Sequence, residues 1–381
     1  MMKELSTKII EINKEATGKL NEYLKNNFKD EKILVVCDDN TKNFISEIKV
    51  KNARCYTFPY NVQATPEDAA ELNEFDCGVM IACGAGTIHD ITRYNAHERK
   101  IPFISYPTAA SVDGFVSTIA AMTVDGRKKT LPSTPPIALF ADPGVFVTAP
   151  IKYTVSGYCD IIGKFIALFD WKFCSLITNE PLDNEIIKLE EDAIKKLLES
   201  DLKDENFTTV VMEGLVLSGM AIQMFGSSRP ASGAEHHLSH LWEMHCINNK
   251  TDALHGEKVG VATLMVLEKY KKLKNILYRP KKFDYDHLYP VFKSLTYGII
   301  EENTPSSLLN ISQKNIDDKI DEIKTLISEL PEADELLKYY KKIGALTALK
   351  DIDLPDDGDF IEKTFEFAPY VRNRITLLKI I

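Results

Sequence analysis

A change of hydrophobic period near residue 150 constrains this chain more than any other feature. Before it, short β-branched runs alternate with helical patterns, at Ile33–Cys37, Cys55–Phe58, Gly78–Ala82, Phe103–Tyr106 and Ile137–Phe140. This is the rhythm of an open, mostly parallel sheet with helices between its strands. Ser117–Val124 and Arg127–Thr130 lie between the last two runs and are joined by Asp125-Gly126; an Asp-Gly pair in that setting predicts an inserted β-hairpin. Beyond Pro150 the period lengthens to that of a helix. Helices are expected near Tyr153–Trp171, Asn184–Glu199, Phe207–Phe225, Gly233–Met244, Gly256–Asn275, Ile316–Ile327 and Ala333–Tyr340. The expected architecture is an α/β domain over residues 1–150 and an all-α domain over 151–381, in keeping with a chain of 381 residues.

Composition narrows the function. Hydrophobic residues at 44% and charged residues at 27% exclude a disordered or low-complexity chain. A net charge of −10 disfavours nucleic acid and anionic membranes as partners, so any phosphate must be held locally. Seven cysteines form no CxxC pair, and the start MMKELSTKII lacks the apolar stretch of a signal peptide; a reduced, cytoplasmic protein is expected. Phe207–Phe225 is apolar enough to resemble a membrane span. Glu213 and Gln223 interrupt it and Ser218-Gly219 suits close packing, so a buried core helix is expected and no membrane span.

Two constellations carry chemistry. The first is Gly84-Ala85-Gly86-Thr87-Ile88-His89-Asp90, after a buried strand and at the start of a helix. Glycines let the backbone approach an anion, and free amides of a helix start face it. His89 takes the third glycine position of a dinucleotide fingerprint, so the loop alone reads equally as a plain strand-to-helix turn. Thr108, Ser111 and Ser117 cluster after the next strand, where ligands of open α/β sheets bind, although each also suits a turn. Asp38, after Ile33–Cys37, suits either a ribose hydroxyl or an Asx turn.

The second constellation joins Asp160 with His236 and His255. Five of the eight histidines (236, 237, 240, 245 and 255) fall within twenty residues, and His236 and His240 share a helix face. A carboxylate and two imidazoles leave open positions on a divalent ion, as a catalytic site requires; surface or hydrogen-bonded histidines are the alternative. Lys164, four residues after Asp160, and Arg229, just ahead of the histidines, are candidates for a substrate anion, or else an ordinary ion pair and a packing residue.

Together GAGTIHD, PTAASVDGFVS, SGYCDIIGK, SRPASGAEHHLSHLWEM and ALHGEKVG resemble the sn-glycerol-1-phosphate dehydrogenase family, particularly its bacterial arabinose-operon-associated members, within the iron-containing alcohol dehydrogenase and dehydroquinate synthase-like superfamily. The match runs in order from about residue 33 to residue 265. It implies a Rossmann-like α/β domain followed by a helical metal- and substrate-binding domain. It also implies an oxidoreductase that reduces dihydroxyacetone phosphate with NADH or NADPH, using one divalent metal per subunit: nickel in bacterial branches, zinc in archaeal ones, with Fe²⁺ also compatible. By the resemblance Gly84, Ala85, Gly86, Thr87, Ile88, Asp90, Thr108, Ser111, Ser117 and Asp38 bind the cofactor and Asp113 contacts substrate. It implies too that Asp160, His236 and His255 hold the metal and that Asp160 and His240 act beside the substrate; Lys164 and Arg229 stay the candidates for its phosphate. His89 stands where relatives often carry Asn. A homodimer or larger assembly is implied. A polyol dehydrogenase, a dehydroquinate synthase-like cyclase and a silent nucleotide-binding module remain as alternatives.

Overall fold

Continuous apolar runs such as Ile33-Leu34-Val35-Val36-Cys37 suit a strand buried on both faces, as parallel sheets are, and they form the centre of the observed sheet. The computed structural model describes residues 5–201, 204, 206–279 and 281–381; the first four residues of the N-terminal stretch read above lie outside the described residues. The chain forms two compact units. The first holds the chain up to Val124 with Lys128–Ile161 and Lys195–Ser228; the second holds Asp125–Arg127, Ile162–Ile194 and Arg229–Ile381.

The strands of the first unit are β1 (Ile9–Ile12), β2 (Ile33–Asp38), β3 (Ala53–Phe58), β4 (Val79–Gly84), β5 (Phe103–Pro107), β6 (Ile119–Val124), β7 (Arg127–Pro132) and β8 (Ala138–Ala141), with Arg127 itself assigned to the second unit. Six of them make a parallel sheet in the order β1-β8-β5-β4-β2-β3. Alternate side chains fill two cores. Leu20, Leu24, Val35, Ile81, Ile104 and Phe140 pack on one face, and Leu34, Val36, Met80, Ile88, Ile91 and Phe103 on the other. Each such side chain contributes roughly 1.5–3 kcal/mol by leaving water. The sequence reading omits β1, a half-buried edge strand pairing only with β8. The expected hairpin is present as the separate pair β6-β7. Asp125 and Gly126 both take left-handed φ, 50° and 74°, as a two-residue I′ turn demands.

Seven helices matter below: α1 (Ala16–Asn27), α2 (Gly86–Arg99), α3 (Ile151–Ile162), α4 (Lys164–Thr178), α5 (Phe207–Phe225), α6 (Ala234–Glu243) and α7 (His255–Lys271). The single helix expected over Tyr153–Trp171 is two, α3 and α4. The break falls at Gly163, the residue type that gains least from a helix interior. Helix α5 is a core helix, with 61% of its apolar window buried. Gly219 in it serves a close approach: a Cβ there would lie 2.6 Å from the Asp113 carbonyl oxygen, and one on Gly157 of α3 would lie 2.3 Å from that of Ala110. The loop after β5 is therefore pressed against both helices within the first unit. The second unit is largely helical, and after α7 it includes the helices Ile320–Glu329, Ala333–Ile343 and Gly358–Phe367.

Candidate active site

The chain runs from β2 to β3 on one side and then returns to place β4 on the other. That reversal makes a switch point at the carboxyl ends of β2 and β4, the position where open α/β sheets take ligands. Asp38 ends one strand and Gly84 the other. Asp38 forms the Asx turn weighed above, its Oδ1 accepting from Asn40 N, Thr41 N and Thr41 Oγ1, each at 2.9 Å. Thr41 Oγ1 also lies 3.1 Å from the Cys83 carbonyl oxygen, which shares the hydroxyl's one proton with Asp38, so the turn sits against the end of β4.

The glycine loop is built for close approach. A Cβ on Gly84 would fall 2.6 Å from Ile88 Cβ, and one on Gly86 2.8 Å from Val112 Cγ2. Ala85 is the N-cap of α2 and makes no side-chain cap, which leaves the first helical amides to an external acceptor. Thr108 N donates to the Gly84 carbonyl at 3.0 Å, tying the loop after β5 to the end of β4. Thr108 and Ser111 are buried there. Ser117 is bound up locally, its Oγ accepting from Ile119 N at 3.1 Å. Asp90 pairs with Arg93 at 3.2 Å, and burial nevertheless pushes its carboxyl up to about 6. Arg93 is fully buried and donates to the carbonyls of Ile119, at 2.7 Å, and Gly114, joining α2 to the turn that follows Asp113. Asp113 accepts from Ser218 Oγ at 3.1 Å, and its amide donates to Asp160 Oδ2 at 3.3 Å. Asp160 is buried near the end of α3.

The histidines lie in the second unit. His236 and His240 sit on one face of α6 and His255 opens α7. Their ring centroids form a triangle with sides of 5.9, 5.3 and 5.6 Å. His236 Nδ1 lies 2.6 Å from Glu235 Oε1, and His255 Nδ1 lies 2.9 Å from Glu243 Oε1. A carboxylate at Nδ1 fixes the proton there and leaves Nε2 as a lone-pair donor, the arrangement of a histidine that ligates a metal. A ring nitrogen of His236 lies within 4.8 Å of one on His255. Two basic nitrogens held this close, each oriented from behind, fit a divalent ion. Burial pushes His240 well below its ordinary value, and Arg372 and the neighbouring imidazoles add to this, so its ring is neutral.

The adjacent His237 is fully buried, and neither ring nitrogen has a hydrogen-bond partner among the described residues. Arg229 is an internal tie: Nε donates to Glu180 Oε1 at 2.9 Å, and the terminal nitrogens to the carbonyls of Ile375, at 3.1 Å, and Asp170, at 3.3 Å. Lys164 is fully buried at the start of α4.

Several groups escaped the sequence reading. Asp170 holds the start of α6 in place, its two oxygens accepting from Ala234 N at 2.8 Å, Leu377 N at 2.9 Å and Tyr270 OH at 3.1 Å. Burial pushes it up to about 7 against those bonds. From the C-terminal segment, Arg374 donates to the Ser232 carbonyl at 2.6 Å, just ahead of α6. Burial holds Arg372 down, takes Arg374 down to about 9 and Lys379 to about 7. The signal available was three basic residues within the largely apolar stretch Tyr370–Ile381.

Residues 11–150 match the family model for iron-containing alcohol dehydrogenases. The glycerol-1-phosphate dehydrogenase [NAD(P)+] of Geobacillus stearothermophilus is 32% identical over 96% of this chain and 90% of its own. The enzyme of that name from Bacillus subtilis (strain 168) is 32% identical over 100% of this chain and 92% of its own. Among solved structures, a probable glycerol dehydrogenase from Sinorhizobium meliloti 1021 superposes with a TM-score of 0.66 at 15% identity, covering 97% of this chain and 91% of that one, a likeness of fold. With similarity along its whole length, the chain belongs to the glycerol-1-phosphate dehydrogenase family of the iron-containing alcohol dehydrogenases.

Proposed function

We propose that this protein reduces dihydroxyacetone phosphate to sn-glycerol 1-phosphate with NADH or NADPH, reversibly, using a divalent metal. The observation that carries the reading is the pair His236 and His255, each backed at Nδ1 by a carboxylate and set with His240 in one triangle. The full-length relatives of that activity support it.

In this reading residues 1–150 bind the nicotinamide cofactor, and residues 151–381 bind metal and substrate. The amides of Gly86, Thr87 and Ile88 face the cofactor's phosphates, with Gly84 and Ala85 shaping the loop and Asp90, Thr108, Ser111 and Ser117 lining it. Asp38 spends Oδ1 on its turn and offers Oδ2 to a ribose 2′-hydroxyl, which favours NADH over NADPH. Asp160, His236 and His255 hold the metal. Bound there, Ni²⁺, Zn²⁺ or Fe²⁺ supplies Lewis-acid polarisation of a ketone, and the nicotinamide supplies the hydride.

The chain's own groups do the rest. Asp113, held by Ser218, orients the substrate hydroxyl. Lys164 receives the phosphate, and Arg229, whose guanidinium is held by Glu180 and two carbonyls, is the second candidate for it. His240, or a water bound beside it, relays from solvent the proton required at the product's C2 oxygen. The protein works as a homodimer or larger assembly, and in the cytoplasm, where seven cysteines with no disulfide among them are at home.

The test is metal-supplemented NADH oxidation with dihydroxyacetone phosphate beside dihydroxyacetone. Turnover confined to the phosphorylated ketone is expected. Turnover of dihydroxyacetone alone would move the protein to the polyol dehydrogenases.

A further inference from the structure

We infer that His89 is a positioning residue for the dinucleotide: as the neutral Nδ1–H tautomer it locks the N-cap of α2 to β5 and to the turn after Asp113. The inference rests on the reading that the Gly84–Thr87 loop holds the cofactor.

The side chain is almost wholly buried, one turn into α2. Nδ1 lies 3.0 Å from the Ala85 carbonyl oxygen, and Nε2 lies 2.8 Å from Ser105 Oγ. A carbonyl can only accept, so Nδ1 carries the proton, and Nε2 therefore accepts from the Ser105 hydroxyl. The hydrogen-bond chemistry leaves one tautomer. Burial, with the Arg93 charge nearby, takes the ring down to about 3, so this tautomer persists at working pH.

The Ala85 carbonyl also accepts from His89 N at 3.2 Å. Two donors of one residue thus hold it along the helix, so it does not turn toward the face where the first amides of α2 end. An oxygen turned to that face would repel a phosphate; held back, it leaves only donors there. Ser105 lies in β5, and the ring stands edge-on to Phe115 at 4.9 Å between centroids. His89 thereby sets the spacing between the two loops at the carboxyl ends of β4 and β5. A side chain that merely filled space would need neither polar contact.

The test compares wild type, His89→Ala, His89→Gln and Gly86→Val by fluorescence titration with NADH, by kinetics, and by the imidazole ¹⁵N spectrum. His89→Ala should raise Kd and KM for NADH roughly tenfold, as expected when a buried carbonyl and hydroxyl lose their partner, with kcat at saturating NADH changed less than about threefold. His89→Gln, with one donor and one acceptor at similar reach, should recover most of the affinity. The wild-type spectrum should show the neutral Nδ1–H form from about pH 5 to 9. An Nε2–H tautomer, or unchanged NADH affinity in the His89 variants, would overturn the inference. If His89→Ala does not fold, His89→Leu, which keeps the bulk and neither polar contact, takes its place with the same two outcomes. A side chain at Gly86 would meet Val112. Unchanged NADH binding in Gly86→Val would remove the loop reading and this inference with it; lost binding there with normal affinity in both His89 variants would remove this inference alone.

Discussion

The two units solve opposite problems. In the first, the candidate site is made of backbone and small groups: two glycines whose missing Cβ atoms let loops touch, an N-cap without a side-chain cap, and hydroxyls buried among them. In the second, it is made of buried or half-buried titratable side chains, three imidazoles flanked by Glu235, Glu243 and Arg372. The contrast teaches that a diffuse anion is best met by many amides, which cost no desolvation of charge. A compact cation needs a few basic atoms, each oriented by a charged neighbour, and the surrounding protein must stabilise those charges.

The comparison can be broken at several points. The largest effect is expected from His236→Ala or His255→Ala, which should remove bound metal and lower kcat/KM by roughly a thousandfold or more, while NADH still binds. Metal analysis with NADH titration checks this, and joint loss of both ligands would show that the two halves are not separable. Glu243→Gln should keep the fold and weaken metal affinity roughly 10- to 100-fold, because His255 loses its orienting carboxylate. Competition with a chelator reads this directly. Lys164→Ala should raise KM for dihydroxyacetone phosphate roughly tenfold and leave an unphosphorylated ketone unaffected; equal effects on both would take Lys164 out of the phosphate site. The smallest effect is expected from Asp38→Ser, which should shift the NADH to NADPH preference a few-fold toward NADPH, on the order of 1 kcal/mol, as measured by paired kcat/KM values.

The same contrast decides what could be read in advance. Strand runs, the Asp-Gly turn and the glycine loop are local signals, and each stands within a few residues of its expected place. Ile9–Ile12 escaped because four half-buried residues carry too short a pattern. The histidine cluster was visible through its spacing. Glu235 and Glu243 are adjacent in sequence to the cluster but declare their role only through Nδ1 geometry. The contacts of Asp170, Arg374 and Lys379 were not legible, although basic residues in a largely apolar C-terminal stretch gave a hint of the last two. Asp170 meets Leu377 across 207 residues and Arg374 meets Ser232 across 142, and no local periodicity encodes a contact of that length. Buried charges also invert the usual expectation that Lys and Arg mark a surface.

The most direct test is an enantiomer-specific analysis of the product formed from dihydroxyacetone phosphate and NADH by the metal-loaded protein, with His236→Ala in parallel. The account predicts sn-glycerol 1-phosphate from the wild type, in step with NADH consumed, and none from the variant. The other enantiomer, no phosphorylated product, or undiminished turnover by the variant would contradict it.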